Sequence, residues 1–128
     1  AGINGWDALK NKEKGRTTLA DELNTVPATL PALMYAQKMQ KRAARKGAFA
    51  QTAEDAAAAL KAAECGWEEA VPENAAERAG VLLFAAANAM RLAGVDAEEA
   101  LTFASGRFRQ ELLQKTEDSD GQECPAAV

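Results

Sequence analysis

The chain has 128 residues, 48% of them apolar, which is enough for one compact core and too few for two. Its formal charge of −4 argues against nonspecific binding to nucleic acid or to an anionic membrane, since both require a basic surplus. No run of about 18 apolar residues is present to span a bilayer, and the N-terminus lacks the basic-then-apolar layout of a signal peptide, so a soluble, cytoplasmic protein is expected. Histidine is absent, which removes imidazole both as a base and as a ligand. A metal site would have to be made of oxygens, which favours hard ions such as magnesium. Cys65 falls in a predicted helix and Cys124 in a polar tail, without the density of a disulfide framework or the spacing of a zinc site.

Residues 1–28 carry Gly2, Gly5, Gly15 and Pro27, and read as an N-terminal arm or connector with one short helical candidate from about Trp6 to Lys14. The chain begins at Ala1 rather than at a methionine. Processing would explain this, as would a piece cut from a longer protein; Trp6 and Leu9, which have the character of docking residues, favour the second.

The first long helix is predicted from about Thr29 to Lys46, with Thr29 as its cap, Pro31 in its first turn and Gly47 at its close. Leu30, Leu33, Met34, Ala36, Met39 and Ala43 supply its buried side. On the other side Lys38, Lys41, Arg42 and Arg45 recur at i, i+3, i+4 and i+7, a stripe of four cations. Such a stripe reads either as a cradle for a polyphosphate or as a solvated face whose charges suit a helix C-terminus.

A second helix starts near Thr52, with Asp55 as its capping-box partner, and runs through the alanines at 56–59 to Cys65 or beyond. Alanine favours helix but buries little area, so this element is expected to be well formed and weakly anchored. Gly66 is placed to end or loosen it, and Pro72 marks the next start. The third helix, about Glu73 to Leu92, is apolar on nearly every side from Val81 to Ala87 and is expected to be the central, most buried element. Asn88 interrupts the apolar run, and its amide reads either as a bond to a neighbouring helix or as a ligand contact.

Gly94 closes the third helix, and Asp96 with Glu99 forms a capping box for a fourth. Ala97, Ala100, Leu101, Ala104, Phe108 and Leu112 then make one amphipathic stripe. From Glu117 the chain turns polar or small and is expected to fray. The fold class is all-α: a four-helix antiparallel bundle over residues 29–115, preceded by the arm and followed by a polar flexible tail over 116–128. The thinly anchored second helix and the apolar third call for more buried surface than one chain offers, so a homodimer is expected.

Two segments carry a family resemblance. Residues 26–47, Val-Pro-Ala-Thr-Leu-Pro-Ala-Leu-Met-Tyr-Ala-Gln-Lys-Met-Gln-Lys-Arg-Ala-Ala-Arg-Lys-Gly, resemble the start of the catalytic domain of the MazG family of bacterial nucleoside triphosphate pyrophosphohydrolases. Residues 80–101, beginning Gly-Val-Leu-Leu-Phe-Ala-Ala-Ala-Asn-Ala-Met-Arg, are similar to the MazG stretch Gly-Asp-Leu-Leu-Phe-x-x-x-Asn-x-x-Arg and the capped helix after it. Arg107-Phe108 stands where the family has Lys-Phe, and the arm from Trp6 to Gly15 is similar to the connector before the C-terminal domain of two-domain members. The resemblance covers roughly residues 5–115.

It implies a magnesium-dependent enzyme that cleaves a nucleoside triphosphate between its α and β phosphates, built as an all-α bundle that dimerises. The family's Glu-Glu-x-x-Glu on the second helix and Glu-x-x-Asp on the third put carboxylates one turn apart on two facing surfaces, an oxygen cage for magnesium. Mapped onto this chain, the cage is depleted. The third-helix motif becomes Arg78-Ala-Gly-Val81, and the second-helix motif becomes Ala63-Glu64-Cys65-Gly66-Trp67, leaving Glu64 as the candidate metal ligand. Ala50-Gln51 replaces an Asp-Trp pair. Glu77 lies about 100° around the helix from the ligand position and is expected to point elsewhere.

A lone carboxylate is a poor magnesium site, so magnesium binding is doubtful and the domain is expected to be inactive or severely weakened. Lys38, Lys41, Arg42, Asn88, Arg91 and Arg107 match polar family positions and are the candidate nucleotide-binding residues. The alternative to a weakened enzyme is a non-catalytic dimerisation, regulatory or nucleotide-sensing domain of a longer protein.

Overall fold

The computed structural model describes residues 18–49 and 52–122, with side chains as far as Asp118. The expected helix at Trp6 to Lys14 lies outside them, as do Ala50, Gln51 and Cys124. Five helices and no strands occur among the described residues: α1 Leu19–Asn24, α2 Ala32–Arg45, α3 Ala53–Glu68, α4 Ala75–Leu92 and α5 Ala97–Gln122.

Local chemistry sets most of these boundaries. Thr52 and Asp55 form the anticipated capping box of α3, with the Asp55 N–H donating to Thr52 Oγ1 at 3.1 Å. The same Thr-x-x-Asp device at Thr18 and Asp21 starts α1, a helix that the reading of the arm passed over. Helix α2 begins three residues later than expected, with Pro31 rather than Thr29 at its N-cap and no side-chain cap. Gly66 does not end α3, which continues to Glu68.

Two left-handed glycines end helices, Gly47 after α2 and Gly94 after α4. Gly47, at φ 75°, lets Ala48 donate to Ala43 O at 2.9 Å and Gly47 to Ala44 O at 3.0 Å. Gly94, at φ 78°, repeats the pattern, with Val95 on Met90 O and Gly94 on Arg91 O. This is the Schellman arrangement, which satisfies last-turn carbonyls and needs a residue without a Cβ at the left-handed position.

The described residues divide into two compact units, one ending at Ala97 and one beginning at Glu98. In the first, α3 and α2 both pack on α4, and α1 packs on α2. The packed unit is α1 to α4, and nearly all of α5 belongs to the second unit. Helix α5 runs past Thr116 to Gln122, into the segment expected to fray. Leu101, Phe108 and Leu112 of its apolar stripe are exposed within the chain.

Helix α4 is central, as expected, but not enclosed. It buries Ala87 and Asn88, while Val81 and Phe84 remain 53% and 45% exposed. The α2 interface departs further from expectation, because the most deeply buried large side chain is Gln40, at 1% exposure. Gln40 Nε2 donates to Phe84 O at 3.0 Å. One turn earlier, Gln37 Nε2 donates to Ala87 O at 2.9 Å and Val95 O at 3.1 Å, and Gln37 Oε1 accepts from Ala97 N–H at 3.0 Å. A carbonyl already engaged within a helix keeps a second lone pair, so α4 can accept these bonds without losing its own.

The two glutamines are not equivalent. Gln40 Oε1 is buried without a hydrogen-bond partner among the described residues, so Gln40→Met removes one bond and one unsatisfied acceptor together. Its effect on stability in urea unfolding is expected to stay within about 1 kcal/mol. Gln37→Met orphans the Ala97 N–H at the start of α5, and a loss of about 1–3 kcal/mol is expected in the same measurement. Thr52→Ala removes the α3 cap and is expected to cost about 1 kcal/mol.

Candidate functional site

Two broad concavities of the first unit lie between α3 and α4. The larger, about 500 Å³, has Ala59 on the α3 side, Glu77, Gly80, Val81, Phe84, Ala85 and Asn88 on the α4 side, and Phe49 from the turn after α2. A second, about 440 Å³, shares Ala59, Glu77 and Val81 and continues past Ala62, Ala63 and Gly66 to Arg78. The two form one cleft along the α3–α4 seam.

Its α3 wall follows from the sequence pattern. Ala59, Ala62, Ala63 and Gly66 fall at i, i+3, i+4 and i+7, so one face of α3 is made of the smallest side chains. The α4 wall is the stripe Glu77, Val81, Phe84 and Asn88. Glu77 therefore faces the cleft, a correction to the expected direction. Seen down the helix from Val81, position 77 is displaced by about 40° and position 78 by about 60° in the opposite sense, so both border the same groove.

Arg78 is committed to α3. Its Nη1 donates to Gly66 O at 2.8 Å. In the last turn of α3, Cys65 O is taken by Glu69 N–H and Trp67 O by Ala70 N–H. Gly66 O is left without such a donor, as carbonyls at a helix end commonly are, and the guanidinium supplies one.

Asn88 closes the other end. It is 2% exposed, and its Oδ1 accepts from Arg91 Nε at 2.9 Å. The Arg91 guanidinium carbon stands 6.0 Å from the centroid of the Phe49 ring, within cation–π range. Phe49 in turn meets Phe84 at 6.2 Å between centroids, the planes inclined by 53°. Arg91 Nη2 is buried and has no hydrogen-bond partner among the described residues. The Gly47 turn puts Phe49 within reach of α4.

Of the candidate nucleotide-binding residues, the structure brings together Asn88 and Arg91. Lys38 and Lys41 are exposed on α2 and line neither cavity. Arg42 pairs with the buried Glu22 of α1, Nη1 to Oε2 at 3.6 Å, so part of the basic stripe joins α1 to α2. Arg107 belongs to the second unit and lies 3.6 Å from Glu111 on its own helix. Glu64, the candidate metal ligand, is exposed and lines neither cavity.

Magnesium does not fit the residues present. Ala63 and Val81 line the cleft where the resemblance puts carboxylates, Arg78 brings a cation to it, and Trp67 is exposed. Among the described residues, no three acids, cysteines or histidines converge to hold a metal. Glu77 is a carboxylate in the cleft that spacing from Arg78 had directed away. Gln37 and Gln40 were also missed; their signal was a pair of amides one turn apart on a predicted buried side.

No family model matches the chain, and no solved structure matches it. Two curated proteins do: the nucleoside triphosphate pyrophosphohydrolases of Escherichia coli K12 and of Escherichia coli O157:H7, each 32% identical over 115 residues, or 85% of this chain. The chain spans 44% of the length of each. Over that stretch it is a distant relative of the MazG-type nucleoside triphosphate pyrophosphohydrolases.

Proposed function

We propose that this chain is a MazG-type pyrophosphohydrolase domain that has kept the helical frame and lost the metal cage. It works as a non-catalytic regulatory or nucleotide-sensing domain, as a cytoplasmic homodimer. The observation that carries this reading is the bond from Arg78 to Gly66 O. A side chain that would repel a divalent cation holds α3 to α4 where the family places a ligand for one. The alanine wall opposite offers no oxygen to replace it. Phosphoryl chemistry of this kind relies on cations to neutralise developing charge and to position water, and among the described residues Glu77 is the one carboxylate lining the cleft, with no group of three acids, cysteines or histidines to hold an ion.

A weakened enzyme is the second reading, and it draws on Glu77, an acid in the cleft that could assist if a partner subunit supplied others. Pyrophosphate release from a panel of standard and modified nucleoside triphosphates, with magnesium or manganese, separates the two. No release above the uncatalysed background is expected, and turnover of any member would overturn the first reading. The combined variant Ala63→Glu, Trp67→Glu, Arg78→Glu and Val81→Asp is expected to gain metal-dependent release, provided its circular dichroism remains helical.

Self-association is supported by the apolar residues that a single chain leaves exposed, among them Phe103, Phe108 and Leu112. Sedimentation equilibrium is expected to give twice the chain mass of 13.5 kDa. Phe108→Glu is expected to shift that distribution toward the monomer, as a charge placed in an apolar interface should.

A further inference from the structure

We propose that the larger α3–α4 cavity binds a flat organic cation, with its ring against Phe49 and Phe84 and its positive charge toward Glu77. The inference rests on the reading above only in treating this cleft as free of a catalytic metal. The volume of about 500 Å³ is within the ordinary range for a small-molecule site. The walls are mostly apolar, and the two phenyl rings, inclined at 53°, form a corner whose faces attract cations as well as other rings.

Charge decides between classes of ligand. Among the described residues, Glu77 is the single ionisable side chain that lines this cavity. Lys38, Lys41 and Arg42 do not line it, and Arg78 borders only the adjoining one, where it is bonded to Gly66 O. An anion entering the cavity meets a carboxylate and, among the described residues, no cation on its walls. Arg91 sets the orientation. Its guanidinium carbon stands 6.0 Å from the Phe49 centroid and its Nε is bonded to Asn88, a residue of the cavity wall, so a cationic head is favoured at the opposite end, by Glu77. Glu77 lies seven residues before Phe84, about 10 Å along the helix, a span that a fused ring system bearing an amine covers.

The test is a fluorescence titration of the full chain with two apolar dyes of opposite charge: proflavine, a flat cationic acridine, and anilinonaphthalene sulfonate, an anion. Proflavine is expected to bind the more tightly. Glu77→Gln should weaken proflavine about 5–10-fold, as expected for one partly screened charge pair, and leave the sulfonate dye little changed. Val81→Trp, which fills the wall common to both cavities, should abolish proflavine binding while helix content by circular dichroism is retained.

Tighter binding of the anion would overturn the proposal. So would proflavine binding that survives either substitution unchanged, or that falls as protein concentration rises, which would mean that a second copy closes the cleft. Pyrophosphate release in the nucleotide assay would remove the non-catalytic reading without altering the dye selectivity, so the two failures are distinguishable.

Discussion

Two side-chain amides on α2 hold the backbone of α4, and the rest of the packed unit depends on that hold. Gln37 and Gln40 lie one turn apart and reach carbonyls one turn apart, Ala87 O and Phe84 O. A hydrophobic contact tolerates sliding of one helix along another, whereas a hydrogen bond to a chosen carbonyl does not. The pairing therefore fixes the axial register of α2 on α4. Gln37 extends the constraint past the end of α4 by bonding Val95 O and the Ala97 N–H, which sets where α5 begins.

The cleft follows from that register. With α2 fixed, the Schellman turn at Gly47 delivers Phe49 to Phe84, and α3 returns along the other side of α4. The alanines of α3 come close but fill little volume, so a groove remains along the seam instead of a packed core. Arg78 prevents the far end from opening by capping Gly66 O. A strong donor there does what a shared metal ion would do for two acidic faces: it joins two helices whose facing side chains would not otherwise attract.

Fold and chemistry make separate demands on a sequence. The 32% identity to the Escherichia coli pyrophosphohydrolases is compatible with the same helical frame, because a frame is specified by caps, glycine turns and apolar spacing. Catalysis depends on a handful of oxygens at fixed positions, and a frame survives their replacement so long as each new side chain is satisfied. Arg78 meets that condition through Gly66 O. Ala63, 6% exposed, meets it by having nothing polar to satisfy.

The all-α class, the Thr52 capping box, the glycine stops at Gly47 and Gly94, and the absence of acids at positions 78 and 81 are legible in the order of residues. These are local: each rests on residues within one or two turns of each other, where helix geometry alone sets direction. The Thr18-x-x-Asp21 signal for α1 is of the same local kind, set directly after a glycine-containing arm. Tertiary packing alone makes Gln37 and Gln40 the α2 side chains that hydrogen-bond the α4 backbone. It alone decided that Arg42 serves Glu22 and that Glu77 faces the cleft beside Val81. Those outcomes depend on which helix lies opposite and in what register, information that a periodic pattern on one helix does not hold.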